Sequence, residues 1–207
     1  MTIEEEKTEF TFQELNPAAQ QRAIERYAMS LDSSWYEHIY EDWGQRLREA
    51  GFLTSTINFS GFNSQGDGAS FSSQFRYYGD EIDKWLSEES KAKIIAQRVA
   101  WKMDGYNPGT LILGGEIENA PSTPHHMGMS ISEWDLYFYH STPESEEFLN
   151  EICEAFKETP ILEHARDLAQ EIYQDLEKEY EYLTSAENVA ESSDANDWHY
   201  NEFGELL

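Results

Sequence analysis

Hydrophobic positions recur at two spacings along this chain, and the switches between the two mark out its elements. Trp35, Tyr36, Ile39, Tyr40, Trp43 and Leu47 fall three and four apart, the period of an amphipathic helix. Ser33 or Ser34 is placed to cap that helix and Gly51 to end it. Earlier, Asn16-Pro17 reads as N-cap and first position of another helix, with Ala19, Ala23, Ile24, Tyr27 and Ala28 on its buried side. Residues 8–12 alternate and predict a short strand.

The period then changes to two. Ile57, Phe59 and Gly61 share one side of a strand, and Phe71, Ser73, Phe75 and Tyr77 share one side of the next. The Gly-rich stretch between them predicts a β-hairpin. Gly61 falls inside the first run and predicts a bulge or a close backbone approach. A third helical region starts near Asp80, with Ile82, Trp85, Leu86, Ile94, Ile95, Val99 and Trp101 as its apolar set, bent or split at 87–90. Leu111, Leu113, Gly115 and Ile117 predict a third strand and residues 129–139 a fourth, making a second hairpin around the loop 121–126. Pro143 opens a helix after Ser141 or Thr142, with Leu149, Ile152, Cys153 and Phe156 on its core face. Pro160 interrupts. A long helix over about 162–183 then carries a seam of Leu162, Ala165, Ala169, Ile172, Leu176, Tyr180 and Leu183. That seam can serve a homodimer as well as a core. Ser185-Ala186-Glu187 can start one more short helix, 192–196 reads as a loop, and Trp198 and Tyr200 alternate within an edge strand over 197–203. The order predicts an α+β fold: a four-stranded, mainly antiparallel sheet of two hairpins covered by helices, one domain over 1–207. The hairpins leave no room for the crossovers of a parallel sheet.

Charge changes this picture. The 207 residues carry 41 Asp and Glu against 14 Lys and Arg, a net charge of −27. Acidic chains poor in aromatics stay disordered. Here 14% of residues are Phe, Trp or Tyr and 39% are hydrophobic, enough for a folded core. So few cations cannot assemble a broad basic surface, which argues against nucleic acid as a direct ligand and against anionic membranes. No apolar run reaches membrane-spanning length, and the acidic start Met1-Thr2-Ile3-Glu4-Glu5-Glu6 lacks the apolar region of a signal peptide. The lone Cys153 allows no internal disulfide and no multi-Cys zinc site. The expected location is a reducing cytoplasm. The charge is also uneven: residues 141–207 hold 19 acids and 3 bases, and an acidic helical region is expected over 141–193.

Within that region Glu163, Asp167, Glu171, Asp175 and Glu179 are spaced by four. On a helix this is a stripe of carboxylates rising about 6 Å per step. Like charges at that spacing destabilise a helix by a few tenths of a kcal/mol per pair. Only Arg166 and Lys178 offer relief within the helix. Phosphates along one DNA strand rise about 3.4 Å each and lie farther apart through space. The stripe can therefore imitate a phosphate row, or it is a plain solvated face.

A second candidate is the loop carrying Ser60, Gly61, Asn63, Gln65, Gly66, Asp67 and Gly68, flanked by Phe59, Phe62 and Phe71. Its glycines can bring backbone N–H groups to an anion, or simply supply a hairpin's positive φ. It lacks the Gly-Lys-Ser/Thr of a P-loop and the ligand spacing of an EF-hand. His125 and His126, with His140 at the end of the following strand, would need a third or fourth ligand to hold zinc, and a metal-dependent hydrolase using Asp67 with His125 or His126 is a further alternative. Cys153 falls on a helix's apolar face, and no Gly-x-Ser-x-Gly elbow is present. No catalytic residue, metal ligand or cofactor is assigned.

Several stretches carry a resemblance. They are Phe10 to Leu15 followed by Ala18 to Ala23, Trp35-Tyr36 with Tyr40 to Asp42, the run from Phe59 to Phe71 (Phe-Ser-Gly-Phe-Asn-Ser-Gln-Gly-Asp-Gly-Ala-Ser-Phe), and Leu176 to Ser185. In these the chain resembles a family of small, acidic, largely uncharacterised proteins encoded by tailed bacteriophages and prophages, some labelled antitoxins of toxin–antitoxin systems. Members of that family often carry Trp where this chain has Asn63. The resemblance implies phage origin and a host bacterial cytoplasm. Joined to the acidic coat, it makes the leading expectation an anti-defence protein that blocks a host nuclease or another nucleic-acid-binding immune protein by DNA mimicry. The alternatives are a binder that sequesters a nucleotide signal in the 61–68 loop, and an antitoxin that masks one toxin.

Overall fold

The computed structural model describes residues 8–120 and 124–207. Its helices and strands run α1 (Pro17–Ser30), α2 (Glu37–Glu49), β1 (Thr56–Phe59), β2 (Ala69–Tyr78), α3 (Glu88–Met103), β3 (Leu111–Asn119), β4 (Met129–Phe138), α4 (Pro143–Ala155), α5 (Thr159–Leu183) and α6 (Ala186–Ala195). The fold is α+β, with four antiparallel strands in the order β1-β2-β3-β4. Read from sequence as one domain, the chain divides by its contacts into two compact units. One is Tyr40–Tyr173; the other joins the residues up to Ile39 with Gln174–Leu207.

The larger unit holds the sheet. Residues directly opposite in an antiparallel ladder share a face, so the register defines two faces. Ile57 pairs with Phe71, Tyr77 with Leu113, Leu113 with Leu136, and Leu111 with Phe138, and all of these are buried. Phe75 lies opposite Gly115, where an added Cβ would run into the Phe75 ring. Gln74, Arg76, Glu116, Glu133 and Asp135 occupy the other face, around a shallow cleft over Gly114 of about 260 Å³. This is the one-sided polarity of an antiparallel sheet with a single packed face.

Trp101 of α3 meets Phe138 and Phe148 edge-on, with ring centroids 5.6 and 5.5 Å apart. Phe156, just past α4, packs on Trp134 at 4.6 Å. Pro160 sits in the first turn of α5 rather than ahead of it, and the helix buries Ile161, Ala165, Ala169 and Ile172 at 0% exposure. The anticipated seam members Leu162, Tyr180 and Leu183 are only half-buried.

Several local expectations are corrected. Asp32, not Ser33 or Ser34, caps the turn leading into α2: its Oδ1 accepts from Ser34 N at 2.9 Å. β1 ends at Phe59, and Gly61 stands outside it at φ +114°, a conformation that favours glycine. As expected, the third helical region splits within 87–90: the Ser87 side chain accepts from Ser90 N to cap α3. Of that region's four distal apolar residues, Ile94 and Trp101 are buried while Ile95 and Val99 are exposed.

The smaller unit ties distant segments. The strands expected over 8–12 and 197–203 shrink to isolated bridges of Tyr200 with Phe10 and with Leu206; in the first, Phe10 N donates to Tyr200 O at 2.9 Å and Tyr200 N donates to Phe10 O at 2.8 Å. Phe12, Leu15, Ala19, Ala23, Val189 and Tyr200 make its core. Asn16 caps α1 through Oδ1, which accepts from Ala19 N at 3.0 Å. The loop expected at 192–196 is largely the end of α6, held by the Ser193 hydroxyl on Val189 O and by its 2.7 Å bond with Tyr200 Oη. Among the described residues no helix is long and apolar enough to cross a membrane.

Candidate functional site

The acidic stripe lies on α5, two residues out of phase with the buried seam. At 100° per residue that offset sets Glu163 and Asp167 opposite the seam, and the 40° drift of each four-residue step brings Asp175 and Glu179 round toward its edge. Glu163, Asp167, Glu171 and Asp175 are exposed and Glu179 is half-buried. Among the described residues, no hydrogen bond or ion pair holds the side chains of Glu163, Asp167, Glu171 or Glu179. The helix tolerates this repulsion because its other side buries a full seam, and packing of that kind outweighs a few tenths of a kcal/mol per charge pair.

Arg166 gives the stripe less relief than its position predicts. Its guanidinium turns away to donate from Nη2 to Met129 O at 2.8 Å, at the start of β4. One of the two cations on α5 is thus committed to fixing the helix on the sheet. The stripe continues in kind on α4, where Glu144, Glu146, Glu147, Glu151 and Glu154 are all exposed.

The glycine loop joins β1 to β2 and is closed by its own side chains. Asp67 Oδ2 accepts from Asn63 N at 2.8 Å and from Ser64 N at 2.7 Å. Ser60 N donates to Gly68 O, and Ser60 Oγ accepts from Gly68 N, both at 3.1 Å. Two N–H groups that could have met an anion are therefore taken by the loop's own carboxylate, and that of Gly68 by the Ser60 hydroxyl. Phe62 stacks on Phe59 at 5.6 Å and meets Tyr173 of α5 at 5.4 Å, so the loop's aromatics pack inward. Asn63, Ser64, Gln65 and Gly66 stay exposed at its tip.

Sequence reasoning missed that His125 closes over this loop: an added Cβ at Gly68 would lie 2.6 Å from His125 Cδ2. His125 Nδ1 accepts from Met127 N at 3.1 Å, which puts the ring proton on Nε2. His126 stacks on His125 at 4.1 Å. Burial, and then the neighbouring His125, pulls its pKa below the ordinary histidine value. Among the described residues no group of three or more His, Cys, Asp or Glu is placed to hold a metal. Cys153 is half-buried, and burial pushes its thiol pKa up, the direction that lowers reactivity.

His164 is a second residue whose role was not visible in the sequence. It sits on α5 between Trp85 at 5.6 Å and Phe52 at 6.1 Å. Burial first, and then Lys84, lowers its pKa against the opposing pull of Asp167 and Glu171.

No curated protein and no solved structure matches the chain. A family model described as a domain of unknown function (DUF8835) matches residues 35–186, a span that takes in the whole sheet, the glycine loop and all of α5. Since that span is most of the chain, the protein belongs to the DUF8835 family.

Proposed function

We propose that this protein acts by binding rather than by catalysis, and that the acidic outer side of α5, extended by α4, receives a partner with a basic nucleic-acid-binding surface. The observation that carries this reading is the run of five carboxylates, four of them exposed, along a 25-residue helix that buries a seam of apolar residues. Solubility alone does not require a spacing that sets like charges against each other along one line. Rigid support from the seam gives the carboxylates a fixed pitch of about 6 Å, which a groove lined with Lys and Arg can read as it reads phosphates. In the context of the phage-family resemblance, the partner is a nuclease or other nucleic-acid-binding immune protein of a host bacterium. The protein is a cytosolic inhibitor of it.

The test is capture of host proteins on the immobilised chain at low and high salt, followed by competition with duplex DNA. A basic nucleic-acid-binding protein should be retained at low salt, released at high salt, and displaced by DNA. The variant E163Q/D167N/E171Q/D175N/E179Q should lose that capture while keeping its fold. Undiminished capture and inhibition by this variant would sink the proposal.

A further inference from the structure

The helix α3 is apolar on two opposite sides, and only one is covered. Ser90, Ile94 and Trp101 face the interior and are buried. On the other side lie Ala92, Ile95, Ala96, Val99 and Met103, all exposed; Ile95, Val99 and Met103 keep 63%, 56% and 84% of their surface open. A helix apolar all round is ordinarily buried all round.

Charge identifies the occupant. On a chain of net −27, copies repel wherever their acidic coats would meet. The α3 strip is an exception. Lys91 and Lys93 are paired with Glu88 and Glu89 within the helix, and Lys102 and Asp104 close its far end. Arg98 is turned inward, donating from Nη2 to Gly109 O at 2.6 Å. The exposed strip is thus close to neutral, with acids and bases in equal number at its start and at its end and an apolar middle. Set antiparallel against itself about a two-fold axis near Ile95 and Ala96, it brings Ala92 opposite Val99 and Glu89 opposite Lys102.

We infer that α3 is the self-association surface of this protein, pairing antiparallel with α3 of a second copy in an isologous dimer. The apolar middle provides the contact, and the approach of Glu89 to Lys102 of the second copy at each end sets its direction. This assignment is separate from the proposed role of α5.

Sedimentation velocity on the full chain, from low micromolar to about 0.1 mM, tests it. A species of twice 24.0 kDa should form with concentration. I95E/V99E should return it to 24.0 kDa without loss of helicity or melting temperature, because both side chains are exposed. Charge reversal tests the direction. E89K and K102E should each raise the dissociation constant roughly 3- to 10-fold, and E89K/K102E together should restore it. A single 24.0 kDa species throughout, or a dimer that I95E/V99E leaves intact, would overturn the assignment. A dimer lost in I95E/V99E but indifferent to the charge swap would refute the antiparallel register.

Discussion

The helices α3 and α5 both bury one apolar side, yet they treat their outer sides in opposite ways. α5 answers its seam of Ile161, Ala165, Ala169, Ile172 and Leu176 with a line of carboxylates. α3 answers Ile94 and Trp101 with Ile95, Val99 and Met103. The acidic side repels copies of the chain and attracts cations. The apolar side is indifferent to cations and gains by being covered. The comparison teaches that the net charge is not a uniform coat: it is concentrated where it excludes one kind of neighbour and thinned where another can approach.

The sharpest way to break this comparison is to attack the buried sides, where the two helices should behave alike. Trp101→Ala removes a side chain packed edge-on against Phe138 and Phe148 and should cost about 3–5 kcal/mol. Ile172→Ala should cost about 2–5 kcal/mol. Urea unfolding measures both, and a loss below 1 kcal/mol for either would mean that the side taken as buried is not. Arg166→Met comes next. It removes the donor to Met129 O while keeping much of the side chain's bulk, and should cost about 1–3 kcal/mol. No loss would show that α5 is fixed by its seam alone.

A smaller effect is expected from pH. The folded pKa of His164 lies below its ordinary value, with burial as the chief cause, so the unfolded chain takes up the proton first. Its contribution should therefore erode stability as pH falls below about 6.5 and vanish above it. His164→Gln should flatten the stability slope in that window; an unchanged slope would remove His164 from the account. The smallest change is expected on the acidic side. Glu171→Gln should alter stability by less than about 0.5 kcal/mol, and in the stabilising direction at low salt, since it relieves repulsion from Asp167 and Asp175. A destabilisation of more than 1 kcal/mol would mean that Glu171 is structural.

The long acidic helix was legible because it repeats one period over 25 residues, and the hairpins because alternating runs flank a turn-forming stretch. The two sides of α3 do not separate within the single apolar set Ile94, Ile95, Val99 and Trp101. Ile94 and Trp101 are seven apart on the buried line, whereas Ile95 and Val99 belong to a second, exposed line. The pairing of Phe10 with Tyr200 joins residues 190 positions apart, and five alternating residues carry no information about so distant a partner. In the glycine loop, composition showed the glycines and the Asp. That Asp67 turns back onto Asn63 N and Ser64 N is a local hydrogen-bonding choice, and the same residues could equally have faced outward. The acidic stripe was visible from its i,i+4 spacing, whereas the half-burial of Glu179 follows from the 40° drift of each step toward the seam. The turning-in of Arg166 was not, because a guanidinium reaches several backbone carbonyls from one position.

The bond between Phe10 and Tyr200 has a consequence for how the molecule comes into being. A ribosome releases the segment around Phe10 to Ala23 well before the residues that cover it, Val189 and Tyr200. In that interval Phe12 and Leu15 wait without their native cover while the sheet unit, which lies between the two segments in sequence, can already form. The smaller unit is thus completed after the larger, and a chain cut short before Tyr200 should carry a finished sheet beside an uncovered, adhesive Phe12 and Leu15.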